Sequence, residues 1–410
     1  MTEDTIFSPT GSRIGTPDIS AENLRQGIQE LLSDGQMNGA NGSARAVGSW
    51  TEDYQELTGL IKQQGLLTKQ PGYYAVNIMV SLGMLVLGLF FLTLTSSLWL
   101  QLLDAVFLAT VFARIAFLGH DSGHRQMFRS TRWNDMTGLA IGFLLGMERT
   151  WWVEKHNRHH SNPNQIGLDP DIDIPVLAFS EEDALSKRGF YRLIVKYQSW
   201  LFYPMLSMEG MFGLRLAGIL YLLRHKGKYP VVEQLLFAGH FVAYFGILFY
   251  LLPTWHAVAF IGVHQLLFGL HMGLVFAPNH KGMPILESGN DMDYLTQQVS
   301  TARNIKPNPL VDFMYGGLNY QVEHHLFPNM PRNNLKKAQV AQLAQADWLE
   351  RGQNLLITGP CGSGKTYLGC ALGHQACLNG LSTRYYRISR LLLELTQANP
   401  DGTYQKTLNQ

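Results

Sequence analysis

Hydrophobic and polar positions divide this chain into stretches of very different character. Four runs are apolar for about 20 residues, the length a helix needs to cross the hydrocarbon core of a bilayer. They fall near 74–94, 98–118, 232–252 and 255–277. Short turns join them in pairs, Thr95-Ser96-Ser97 in the first and Pro253-Thr254 in the second, which predicts two helical hairpins. Two shorter apolar runs, 138–147 and 211–223, are too short to span. The second also contains Arg215, so both read as interfacial or re-entrant helices. Residues 1–50 are rich in Gly, Ser, Asn and acids with no apolar stretch, which reads as a disordered tail and not a signal peptide.

Charge placement orients the hairpins. No Lys or Arg occurs between Gly72 and Ala113, or between Tyr229 and His280, whereas 119–231 is rich in both. The positive-inside rule then sets both hairpin tips outside and both termini in the cytoplasm. Within the second span, Arg114 is expected to snorkel toward the headgroups, and the sequence assigns Asp104 no role. The net charge of +1 gives no reason to expect a nucleic-acid partner. All 3 cysteines, Cys361, Cys370 and Cys377, lie near the C-terminus, so no disulfide framework is expected and a reducing compartment fits.

Chemistry enters with the histidines. Half of the chain's 14 histidines fall in three clusters, His120-x3-His124, His156-x2-His159-His160 and Gln321-x2-His324-His325. Helical residues three or four apart share a face, so each cluster can aim its rings at one spot. Imidazole suits divalent iron. One such pair would more often be surface, but three clusters on one face of a membrane point to an oxidative metal centre. Seven histidines are too many for one iron and suit two, and His280, emerging at the cytoplasmic end of the fourth span, is a natural eighth. Asp121, Glu154 and Glu323 are expected to fix imidazole tautomers. His225, His240, His256, His264 and His271 read as ordinary core, interface or tunnel residues. Trp151, Trp152 and Tyr320 read as packing or interfacial anchors, with walls of an acyl tunnel as the alternative.

His120-Asp-Ser-Gly-His124, His156-Asn-Arg-His-His160 and Gly316-Gly-Leu-Asn-Tyr-Gln-Val-Glu-His-His-Leu-Phe-Pro328 resemble the membrane-bound fatty acid desaturase family over roughly 54–337. The resemblance implies a mainly α fold, with four transmembrane helices, a cytosolic helical diiron cap and a kinked acyl tunnel. It implies His120, His124, His156, His159, His160, His280, His324 and His325 as ligands of two iron ions, with O2 as co-substrate and a double bond as product. Gln321 departs from the commoner histidine at its position. Similar Gln variants occur in front-end desaturases, regiochemistry stays open, and the Gln321 amide oxygen is a candidate donor near iron. The segment 162–175, NPNQIGLDPDIDIP, looks like that of actinobacterial members acting on acyl-CoA or acyl-lipid substrates, which suggests a bacterial inner membrane. No His-Pro-Gly-Gly haem motif is present, so electrons are expected from a separate ferredoxin or flavoprotein reductase. A fatty acyl hydroxylase or another diiron monooxygenase is the runner-up, separated by product analysis.

The character of the chain changes beyond 337. Asn354-Leu-Leu-Ile-Thr358 reads as a buried strand, followed by Gly359-Pro-Cys-Gly-Ser-Gly364-Lys365-Thr366 and a helical stretch, which is the context of a P-loop. Gly359, Gly362 and Gly364 would shape the phosphate cradle, Lys365 would reach the terminal phosphates of ATP and Thr366 its Mg2+. The run from Trp348 resembles insertion-sequence transposition helper ATPases. Residues 338–410 thus read as a partial α/β P-loop fragment with no acidic Walker B strand, and hydrolysis is not expected. Two interrupted families meeting near Ala338 suggest an insertion event or an assembly join. A membrane-tethered nucleotide-binding module is the weakest alternative, and Lys365→Ala discriminates it.

Overall fold

The computed structural model describes residues 47–225, 227–290 and 292–344, together with 5–7 and a few positions between 373 and 384. The chain forms two units, Val47–Ala338 in one and Met1–Ala46 with Gln339–Gln410 in the other. In the latter, β1 (Thr5–Phe7) pairs antiparallel with β2 (Thr383–Arg384). The predicted P-loop residues Gly359, Gly362, Gly364, Lys365 and Thr366 lie outside the described residues, as does nearly all of the predicted tail.

The unit Val47–Ala338 is helical. After α1 (Val47–Gln63) come α2 (Pro71–Leu94) and α3 (Leu98–Gly123), the first hairpin. Pro71 sits in the first helical turn, where its missing N–H costs nothing. The segment between the hairpins begins with α4 (Thr131–Leu145), α5 (Arg149–Ser161) and α6 (Glu181–Ser186). They are followed by α7 (Gly189–Lys196), α8 (Gln198–Ser207), a π-helical turn (Glu209–Leu216) and α9 (Ala217–Arg224). The second hairpin is α10 (Pro230–Leu251) and α11 (Thr254–His280). The unit ends with α12 (Tyr294–Thr301), α13 (Pro309–Met314), α14 (Gln321–Leu326) and the start of α15 (Arg332–Ala344).

Four of these helices, α2, α3, α10 and α11, are long and apolar enough to cross a membrane. They are not equivalent. α3 and α11 form the inner pair, with Phe112 set edge-on to Phe268 and His264, while α2 and α10 bury far less of themselves. The inner helices also run past the predicted ends at 118 and 277, to Gly123 and His280. His120 and His280 are therefore mounted on the same rods that cross the bilayer.

The two shorter apolar runs do not behave as further straight spans. α4 has 15 residues and stops at Gly146, whose φ of +65° is left-handed. A Cβ there would meet the His240 ring at 2.3 Å, so only glycine fits the turn. The run 211–223 lies in a pair of helices bent by 66° at Met208. Gln198, at its start, exchanges hydrogen bonds with the Ala178 backbone, and Tyr221, near its end, donates to Glu154 of α5 at 3.0 Å. Both ends thus stay on the histidine side while the middle packs into the bundle, against Phe268 and Gly269 of α11. Arg215 fastens this excursion by donating to the Gly210 and Leu145 carbonyls and to Gln265. The Arg114 guanidinium packs over the Phe313 ring at 5.0 Å. Asp104 is buried.

Candidate metal centre

Local sequence explains how each histidine is aimed. His120 is in the last turn of α3 and His124 caps it, so their rings meet at 4.7 Å. The whole of α5 starts from Glu148, whose side chain caps the Thr150 and Trp151 amides. This fixes the helix that carries His156, His159 and His160. α14 presents His324 and His325, and the last residue of α11 is His280.

The fold divides these eight residues into two groups. His120, His124, His156, His160 and His324 converge in one, and His159, His280 and His325 in the other, with ligand atoms inside each group within 4.8 Å of one another. In the first, His160 Nε2 lies 3.1 Å from His156 Nε2 and 3.2 Å from His324 Nε2. A neutral imidazole has one N–H and one lone pair, so three ring nitrogens crowded this way cannot all satisfy each other. His124 Nε2 and His325 Nε2 are buried with no hydrogen-bond partner. Burial and neighbouring imidazoles push His124, His156, His160, His324 and His325 well below the usual histidine range, which keeps their lone pairs free. For His159 burial acts downward too, but Asp171 and Asp169 outweigh it and raise the ring. Converging nitrogen donors, most of them buried, fit a divalent transition metal, and their all-imidazole chemistry suits iron.

Each ring of the three-histidine group is held through Nδ1. His159 donates to Asp169 at 3.0 Å, His280 to the Thr301 carbonyl at 3.0 Å and His325 to Gln298 at 2.8 Å. The Gln298 amide nitrogen in turn donates to the His160 carbonyl at 2.9 Å, which ties the two groups together. In the larger group, His120 Nδ1 contacts Asp121 at 3.2 Å, and Asp121 pairs with buried Arg332. Trp152 stacks on His156 at 4.6 Å, and a Cβ at Gly123 would strike its ring.

Asp121 contacts a histidine as expected. Glu154 does not: it is exposed and accepts from Tyr221. Glu323 accepts from Asn304 at 2.7 Å. The Gln321 amide oxygen accepts from Asn279 at 3.0 Å, and the amide nitrogen is the atom 3.0 Å from His280 Nε2. Trp151 lies under Lys155, and Tyr320 is buried. None of His225, His240, His256, His264 and His271 joins either group. His240, His256, His264 and His271 bond Phe143, Gln101, Tyr244 and Met314, and His225 stacks on Tyr221. Sequence reasoning missed Asp169, Gln298, Thr301 and Arg332. Only Asp169 carried a signal, since it lies in the quoted segment 162–175. A cavity of about 500 Å³ opens beside His124, lined also by Arg125, Asp135, Arg149, Glu154 and Lys228. Its polar walls suit water and ions, not an acyl chain.

A family model described as fatty acid desaturase matches residues 97–353, and one described as IstB-like ATP binding protein matches 321–410. The two overlap over 321–353. Among curated relatives, an acyl-lipid (9-3)-desaturase of Physcomitrium patens is 32% identical over 302 residues, 70% of this chain and 56% of that protein. A Delta(6)-fatty-acid desaturase of Caenorhabditis elegans is 32% identical over 299 residues, 69% of this chain and 66% of the relative. A Delta(8)-fatty-acid desaturase of Euglena gracilis is 30% identical over 317 residues, 73% and 74% of the two chains. The matches thus span little more than half of the first relative and just under two thirds of the second. Histidine boxes on apolar hairpins, their convergence into two nitrogen-rich groups and the family match agree, and the chain belongs to the fatty acid desaturase family.

Proposed function

We propose that the protein is an O2-dependent fatty acyl desaturase whose two histidine groups each hold one iron ion. The observation that carries this reading is the five-and-three division of eight converging histidines. His120, His124, His156, His160 and His324 would hold one ion, and His159, His280 and His325 the other. Iron bound there would supply O2 activation and hydrogen abstraction from an unactivated methylene. Two hydrogens leave adjacent carbons of the acyl chain, an external reductase supplies two electrons, and O2 with two protons becomes two waters.

The residues of this chain supply what surrounds that chemistry. Asp169, Gln298 and the Thr301 carbonyl hold three imidazoles in the tautomer whose Nε2 carries the lone pair. Asp121, backed by Arg332, does the same for His120. Trp152 shields one flank of the larger group from water. The amide nitrogen of Gln321 beside His280 Nε2 argues against its oxygen serving as a ligand in this arrangement.

The substrate is an acyl chain carried on CoA or lipid. The relatives' Delta(5), Delta(6) and Delta(8) names favour a double bond near the carboxyl end. A separate ferredoxin or flavoprotein reductase donates the electrons, and the site faces the cytoplasm of a bacterial inner membrane with both termini. The P-loop at Gly359–Thr366 is dispensable for this reaction.

Expression of the full chain in a host with a simple fatty acid profile, followed by methyl ester analysis, tests the reading. The expected product is a new double bond, equally abundant with Lys365→Ala. An added oxygen would indicate a hydroxylase. An unchanged profile, with iron bound and reductase supplied, would sink the proposal.

A further inference from the structure

Residues 185–203 form a strip whose composition the desaturation site does not explain. α7 is short and amphipathic, with Val195 as its buried position. Arg188, Arg192 and Lys196 stand at i, i+4 and i+8, so they make one stripe along it, and all three are exposed. Lys187 is taken by Asp183 at 3.0 Å, and Lys196 lies over the Tyr197 ring at 5.3 Å. Among the described residues, Arg188 and Arg192 have no carboxylate partner.

Large apolar side chains flank this stripe. Phe190 is 70% exposed, Leu193 55%, Trp200 83% and Tyr203 60%. Aromatic residues beside unpaired cations are the composition of a helix at a membrane–water boundary. The position agrees. Tyr197 alone separates α7 from α8, which then packs into the bundle, with Leu206 against Gly273 and Ser207 against Gly269 of α11. α7 therefore sits where the chain leaves water for hydrocarbon.

We propose that this strip binds the headgroup phosphates of anionic phospholipid, with Phe190, Leu193 and Trp200 seated among the acyl chains. A soluble phosphate would satisfy the cations and leave the apolar flank exposed. A zwitterionic lipid would cover the flank and leave the cations without net counter-charge. Only an anionic lipid meets both halves of the strip. Each basic residue at such a surface enriches anionic headgroups by about fivefold.

The test places the full chain in nanodiscs doped with brominated phosphatidylglycerol or brominated phosphatidylcholine. Trp200 fluorescence is read as the difference from Trp200→Phe. Quenching by the anionic lipid should exceed that by the zwitterionic one by about twofold or more, and should weaken with salt. The triple variant Arg188→Gln, Arg192→Gln, Lys196→Gln should lose the preference. Equal quenching by both lipids overturns the proposal, as does a preference that survives in the triple variant. Relief of quenching by added coenzyme A, with no lipid preference, also overturns it and assigns the stripe to a soluble phosphate. The salt dependence of the unmodified protein decides the matter if the variant fails to fold. None of these readouts uses desaturation, so the proposed activity and the lipid site stand or fall separately.

Discussion

The five-histidine and three-histidine groups sit side by side but are assembled by different means. The larger is built by helix periodicity: His120 with His124 on α3, His156 with His160 on α5, and one contribution from α14. Its rings pack largely against one another, and His160 Nδ1 and His324 Nδ1 have no hydrogen-bond partner. The smaller draws one residue from each of α5, α11 and α14, and every ring is pinned by a group from elsewhere in the chain. A site made by periodicity tolerates changes outside it. A site made by long-range hydrogen bonds should fail when those partners change.

The largest expected effect breaks the periodic group itself. His160 Nε2 lies within 3.2 Å of both His156 Nε2 and His324 Nε2, so His160→Ala removes the centre of the set. Product formation should fall by more than about a hundredfold, beyond what loss of an outer hydrogen bond causes. Iron content measured on the purified protein should fall with it, and full iron retention would contradict the assignment.

Asp169→Asn aims at the other group. It replaces the acceptor of His159 Nδ1 while keeping the shape, and metal affinity should drop about 10–100-fold. Iron titration under reducing conditions would show it. The contrast between the groups collapses if this change is silent.

Gln298→Ala probes the link. It removes the acceptor of His325 and the donor to the His160 carbonyl, with an expected loss of about tenfold in iron affinity. His225→Ala serves as the control, because His225 only stacks on Tyr221, and it should leave binding unchanged.

The smallest effect concerns the helix common to both groups. Burial, with the Glu233 carboxylate adding to it and the Trp151 amide opposing, pushes the α5 cap Glu148 up to about 7. A carboxyl raised in the folded state above its unfolded value near 4.5 stabilises fully below that value. That contribution is lost as pH rises toward about 7. Glu148→Gln keeps a capping oxygen and has no proton to lose. Thermal unfolding should therefore show a gain of a few degrees at pH 8 and little change at pH 5. A gain that is equal at both values would assign the effect to something other than titration.

Much of the site was legible because helices write their geometry into spacing. His120 and His124, or His156 and His160, share a face whatever surrounds them, and the hairpins deliver their ends to one side. His280 was legible for the same reason, as the end of a spanning helix. Glu154 misled because sequence proximity to His156 says nothing about direction, and its carboxylate turns outward to Tyr221. Gln298 and Arg332 gave no signal, since a single polar residue in a loop-rich segment looks the same whether it faces water or a histidine. The Phe313 partner of Arg114 gave no signal either, since it lies far along the chain.

Hydropathy and period by themselves determined the four long helices, their pairing and the eight histidines, because these follow from local length, apolarity and spacing. The tertiary structure decided the five-and-three division, the tautomer of each pinned ring and the bent, same-sided course of α8 to α9. Those depend on hydrogen bonds between residues distant in sequence, and such contacts exist only after the chain has packed.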